Sequence, residues 1–198
     1  MTTRQSSPER LEFCGLQIDS TIRFSELRAG NRDSAADLVI ANASPRNLRA
    51  IPRGSHGAVT ATIDEGSLAI RVPMAGGLWV RPGRMEVAAS SSRWHARLRP
   101  YVLGTGLAAA MYQLGLVPFH VSAVALSGAA VAFSGESGAG KSTFSYAWQR
   151  RFGAQMVSDD IARIECDGNG EAVVYPGLLQ VKMWKDSLQA FDLGSKGL

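Results

Sequence analysis

The eight consecutive residues Gly135-Glu-Ser-Gly-Ala-Gly-Lys-Ser142 restrict what this chain can fold into more than any other stretch. They fit the pattern G-x-x-x-x-G-K-[ST], which joins a strand to a helix around a chain of phosphates. Glycines in such a loop reach backbone angles that turn N–H groups inward, so the loop wraps an anion. A helix starting near Lys141 would add unsatisfied N–H groups and a partial positive charge. Lys141 would reach the β- and γ-phosphates as a point charge, and the Ser142 hydroxyl would sit on Mg²⁺. Gly135, Glu136, Ser137, Gly138, Ala139, Gly140, Lys141, Ser142 and Thr143 are therefore the expected nucleotide-phosphate site.

The flanking residues agree with this reading. Two β-type runs, Val121–Leu126 and Ala130–Phe133, enclose Ser127-Gly128, which suits a tight hairpin turn. The second run feeds directly into the loop. Beyond it, Lys141–Arg151 has helical character, with Phe144, Ala147 and Trp148 spaced to share a face, and Gly153 is placed to end the helix. Lysine occurs only at 141, 182, 185 and 196, so Lys141 is the first in a chain that otherwise uses arginine. The motif by itself does not choose among kinase, hydrolytic switch, transport motor and nucleotide sensor.

Gln155–Val157 reads as a strand that delivers Ser158-Asp159-Asp160. In parallel α/β sheets neighbouring strands end on the same edge, which is where ligands bind. One of the two carboxylates could hold Mg²⁺, directly or through water. The other could accept a proton from an attacking hydroxyl. A hairpin should follow, made of Ile161–Glu165, a turn at Asp167-Gly-Asn-Gly170 and Glu171–Tyr175, and then a short helix over Trp184–Leu193.

The first hundred residues read differently. Short β-friendly runs (Thr21–Phe24, Leu38–Ile40, Ala58–Ile63, Leu68–Val72, Leu78–Val80) are separated by turn-forming residues. Tyr101–Leu116 is apolar on too many sides for a surface helix and suits a buried one, weakened near its start by Gly104 and Gly106 and stopped by Pro118. The expected organisation is a β-rich region over 1–100 and a nucleotide-binding domain over 101–198.

With 198 residues, 45% hydrophobic and 19% charged, the composition is that of a soluble globular protein. No window is apolar enough to span a bilayer, and the polar N-terminus lacks the apolar core of a signal peptide, so the expectation is cytoplasmic. Cys14 and Cys166 are far apart and read as two thiols in a reducing compartment. His56, His95 and His120 are scattered, with no metal-type spacing. Residues 1–100 hold 14 arginines against 9 acidic residues (+5), and residues 101–198 hold 7 basic against 8 acidic (−1), which together give the net +4. Arg81, Arg84, Arg93, Arg97 and Arg99, near Trp79 and Trp94, read as a solvated basic face. No nucleic-acid motif accompanies them, so no nucleic-acid partner is expected.

Three segments carry a family resemblance: Phe119-His-Val-Ser-Ala-Val-Ala-Leu126, Ala129-Ala-Val-Ala-Phe-Ser-Gly-Glu-Ser-Gly-Ala-Gly-Lys-Ser-Thr143 and Met156-Val-Ser-Asp-Asp-Ile161. Together they resemble the HPr kinase/phosphorylase superfamily, especially its shorter HPr-kinase-related proteins. The resemblance is close over roughly residues 117–165 and weaker through Trp184. It implies an α/β P-loop domain related to phosphoenolpyruvate carboxykinase, preceded by a variable β-rich region. The implied activity is transfer of the γ-phosphate of ATP, with Mg²⁺, to a serine on a protein or peptide, with a phosphorylase reaction open. The implied roles are His120 as the active-site histidine, Lys141 as the phosphate-binding lysine and Ser142 as a metal ligand. Asp159 would be the acid/base acting on the acceptor serine, with Asp160 beside the metal. Members of the family tend to form homo-oligomers.

The chain departs from the family in two places. Family members carry a glutamate-and-arginine-containing segment after the Asp-Asp pair, and Val173–Gln180 (VVYPGLLQ) has neither residue type. The second metal ligand is thus unassigned, and HPr itself is not the expected acceptor. The C-terminal part usual in the family is missing as well, so the domain is expected to be incomplete there. The alternatives kept beside the kinase are a non-catalytic nucleotide-binding regulator and, ranked lower, a hydrolytic NTPase.

Overall fold

Paired positive φ angles at Cys14 (52°) and Gly15 (79°) fold the start of the chain into a two-residue hairpin, because such turns match the right-handed twist of their strands. Its arms are β1 (Glu9–Phe13) and β2 (Leu16–Ser20). The computed structural model describes residues 7–54, 58–89 and 94–179 and is mixed α/β, with mostly strands and few helices. It divides into two compact units, Met1–Pro118 and Phe119–Leu198.

The first unit continues with β3 (Arg28–Ala29), β4 (Leu38–Asn42), a 3₁₀ turn at Pro45–Ala50, β5 (Thr60–Asp64), β6 (Ser67–Val72), β7 (Gly76–Arg81) and β8 (Arg84–Ala89). These make one sheet in the order β3-β1-β2-β4-β8-β7-β6-β5. The pairs β2/β4 and β4/β8 are parallel and the rest antiparallel. The core is built from alternate residues such as Leu16 and Ile18 of β2, Leu38 and Ile40 of β4, and Leu78 and Val80 of β7.

Two features of this unit correct the sequence reading. Thr21–Phe24 is not a strand: Ser20 Oγ donates to the Ile22 carbonyl (2.7 Å) and accepts from the Ile22 N–H (3.0 Å), and this local turn displaces the ladder. Ile22 and Phe24 are nonetheless buried. The arginine face is not wholly solvated either. Arg81 and Arg84 pair with Glu86 at the surface, but Arg99 is 9% exposed and forks onto Glu26.

A helical run closes the unit: α1 (Trp94–Arg97), α2 (Arg99–Tyr101), a π-helical stretch at Val102–Gly106 and α3 (Leu107–Gln113). The wide turn holds both Gly104 and Gly106, the residues that weaken the helical pattern in the sequence. Leu98, Val102, Leu107 and Met111 are fully buried, and the run packs on β7. It ends before Pro118. Gly115 at φ 77° lets the Leu116 N–H reach the Met111 carbonyl (3.0 Å), which closes the last turn. The helix thus belongs to the β-rich unit, and the compact units divide at residue 118.

The second unit contains β9 (Pro118–Phe119, at the junction), β10 (Val121–Leu126), β11 (Ala129–Ser134), α4 (Lys141–Phe152), β12 (Gln155–Ser158), β13 (Ala162–Cys166) and β14 (Ala172–Tyr175). They form two three-stranded sheets, ordered β11-β10-β12 and β14-β13-β9. Ser127 (φ 52°) and Gly128 (φ 82°) make the expected turn between β10 and β11. Helix α4 packs on β10, with Ser145 as its fully buried residue. The helix expected at Trp184–Leu193 lies outside the described residues, as do His56 and Arg93. Cys14 is buried and Cys166 exposed, without a disulfide between them. Among the described residues no helix is long and apolar enough to cross a membrane.

Candidate functional site

Strand β10 is central in its sheet and antiparallel to both neighbours. Its partners β11 and β12 therefore point the same way although they do not touch. The register pairs Val121 with Ser134 and Ala123 with Ser158, so the start of β10 lies beside the ends of β11 and β12. His120, the glycine-rich loop and Asp159-Asp160 consequently gather at one edge. The expectation of adjacent parallel strands is corrected here: an antiparallel central strand produces the shared edge instead.

The loop from Gly135 enters α4 through Gly140, which caps the helix in the left-handed region at φ 87°. A side chain there would be strained, which is why the motif demands glycine. The helix begins with the Phe144 N–H bonded to the Gly140 carbonyl (2.8 Å), so the N-terminal end of α4, with its partial positive charge, meets the loop. Lys141 lies back over the loop, its Nζ donating to the carbonyls of Gly135 (2.9 Å) and Glu136 (3.0 Å).

Ser142 Oγ donates to Asp159 Oδ1 at 2.8 Å. Asp159 is 2% exposed, while Asp160 next to it stands at φ 82°. Left-handed backbone at a non-glycine residue is locally strained. Both the carbonyl and the carboxylate of Asp160 face His120 Nδ1, at 3.0 and 3.2 Å. Two acceptors on Nδ1 place the proton there, which leaves Nε2 of a neutral ring with a lone pair. The pair is part-exposed, so its attraction is screened by solvent.

Two supports of this edge have no motif in the sequence. The Asp159 N–H donates to the Leu178 carbonyl (2.7 Å) and the Gly177 N–H to the Val157 carbonyl (3.2 Å), so Gly177-Leu178 runs beside the end of β12. These backbone bonds, anchored by buried Leu178, are what the stretch after Val173 contributes here. Buried Ser158 also donates from Oγ to the Ile161 carbonyl and pins the Asp-Asp turn from its other side.

Chemically, a carboxylate and a hydroxyl side by side are hard oxygen donors. They suit Mg²⁺, which takes few protein ligands and completes its shell with phosphate and water. Among the described residues no three His, Cys, Asp or Glu side chains converge as a self-sufficient metal site. Compared with protein-family models, curated proteins and solved structures, the chain matches none.

Proposed function

We propose that the chain is an ATP- and Mg²⁺-dependent kinase of the HPr-kinase type that phosphorylates a serine on a protein or peptide. One observation carries the reading: the glycine-rich loop, His120 and Asp159-Asp160 share a sheet edge, with Ser142 bonded to Asp159 (2.8 Å). Phosphoryl transfer asks the protein mainly for positioning and charge neutralisation, and this edge offers both.

In this reading the loop N–H groups and Lys141 hold the phosphates. Ser142 and Asp159 would hold Mg²⁺, whose charge offsets that of the phosphate oxygens. The acceptor serine's proton passes to the His120–Asp160 pair, with Nε2 as its first stop. The contacts thus favour Asp159 beside the metal and Asp160 on the proton side, the reverse of the division that the resemblance implies.

Labelled ATP incubated with the purified protein and candidate serine-bearing peptides or proteins provides the test. Phosphoserine is expected, and its absence together with tight ATP binding would instead support a nucleotide-binding regulator. That second reading is favoured by Val173–Gln180, which lacks the glutamate and arginine of the segment that follows the Asp-Asp pair in the family.

A further inference from the structure

Three aromatic side chains lie one helical turn apart along α4: Phe144, Trp148 and Phe152. Phe133, at the end of β11, packs against the first two, with ring centroids 5.8 Å from Phe144 and 5.7 Å from Trp148. Phe152 continues the row 5.4 Å from Trp148. Yet Phe144 is 58% and Phe152 52% exposed. Single exposed aromatic residues are ordinary, but a connected row beginning beside a phosphate-type loop is a surface with a use.

The position of Phe144 narrows that use. It follows Lys141 by three residues, so its backbone lies only about 4.5 Å further along the helix axis. A Cβ built on Gly140 would lie 3.9 Å from Phe144 Cδ2, so the ring borders the loop in which a ligand's phosphates would sit. Trp148 and Phe152 lie about 6 and 12 Å beyond Phe144 along the axis, which leaves Phe144 as the ring within reach. Phe133 supports it from behind with an interplanar angle of 31°.

We propose that the exposed ring of Phe144, backed by Phe133, is the platform on which the base of a nucleoside triphosphate stacks. The inference rests on the phosphate-loop reading and adds the base subsite to it. Stacking uses the π-face common to every base rather than the hydrogen-bonding edge that distinguishes them. The site therefore accepts adenine and guanine alike.

Calorimetric titration of the full chain in Mg²⁺ with ATP, GTP and inorganic triphosphate tests this. The wild type should bind both nucleotides about 5- to 100-fold more tightly than triphosphate. Phe144→Ala should reduce both nucleotides to the triphosphate level while leaving triphosphate itself unchanged, which also shows that the variant is folded. Phe144→Tyr should keep the nucleotide advantage. The platform is overturned if wild-type protein binds ATP no better than triphosphate, or if Phe144→Ala weakens triphosphate as much as ATP. More than about tenfold discrimination between ATP and GTP would overturn recognition by the base's face. Unchanged triphosphate affinity in Lys141→Ala sinks the loop reading instead, so the two failures are told apart.

Discussion

Ser142 Oγ and Asp159 Oδ1 meet at 2.8 Å, joining the first turn of α4 to the end of β12. The two elements are separated in sequence by the whole helix and brought together because β10 lies between the strands that precede them. Asp159 is buried, so its charge is poorly screened by water and bears strongly on whatever occupies the loop.

Asp159→Asn keeps an oxygen for the Ser142 hydroxyl but removes the charge. Without metal its affinity for ATP should rise, because a buried negative charge beside the phosphates is removed, and the gain on adding Mg²⁺ should vanish. Phosphoryl transfer should fall at least about 100-fold. Asp160→Asn should retain the Mg²⁺ gain. Titrations of both variants with and without Mg²⁺ decide between the two divisions of labour, because the opposite pattern would return the metal role to Asp160.

His120→Ala should lower transfer by about 10²- to 10⁴-fold, the usual range for a lost acid/base group, with ATP affinity unchanged. Asp160 adds a stability signature. At φ 82° asparagine is tolerated and alanine is not, so Asp160→Ala should be less stable than Asp160→Asn by about 1 kcal/mol in urea unfolding. Equal stabilities would show that the left-handed angle is not maintained in solution.

Lys141 Nζ donates to two loop carbonyls, those of Gly135 and Glu136. Replacing it with methionine should cost ATP about 10- to 100-fold in affinity, as expected for charged hydrogen bonds. Arginine should not rescue the loss, since a planar fork does not fit where a compact ammonium does. Calorimetry on the two variants checks both statements.

The elements that the sequence made legible share a local chemical cause. Ser127-Gly128 reads as a turn because the glycine accepts positive φ, and the loop from Gly135 reads as a phosphate cradle because glycine and lysine have separate physical tasks. Cys14-Gly15 makes the same kind of turn, but cysteine, unlike serine, does not advertise one, so the β1-β2 hairpin was hidden. Strand β8 was hidden too: Arg84-Met-Glu-Val87 alternates, with Met85 and Val87 buried, but Glu86, Ala88 and Ala89 are poor strand formers. At the candidate site, residue types pointed to His120, Lys141, Ser142, Asp159 and Asp160. Which carboxylate meets which partner depends on the fold around them, including the backbone bond from Asp159 to Leu178, and a backbone bond leaves no mark on residue type.

Arg99 and Glu26 give the first unit a pH dependence of its own. Arg99 donates from Nε and Nη2 to the two Glu26 oxygens and from Nη1 to the Arg23 carbonyl, with its guanidinium over the rings of Phe24 (4.7 Å) and Trp94 (5.3 Å). These hydrogen bonds hold the Glu26 carboxyl below its ordinary 4.5, against the opposing pull of burial. A carboxyl depressed in the folded state stabilises the protein at pH values above its unfolded pKa. That contribution is lost as pH falls through the lowered folded value, so the window lies below about 4.5. Urea unfolding between pH 6 and 3 should therefore show an acid-side loss of stability that is smaller in Glu26→Gln. Arg99→Ala should destabilise at pH 7 by about 3–5 kcal/mol, because it strands a mostly buried carboxylate and empties the space between two rings. An acid slope identical in Glu26→Gln and wild type would assign the loss to other carboxylates and remove the pair from the pH response.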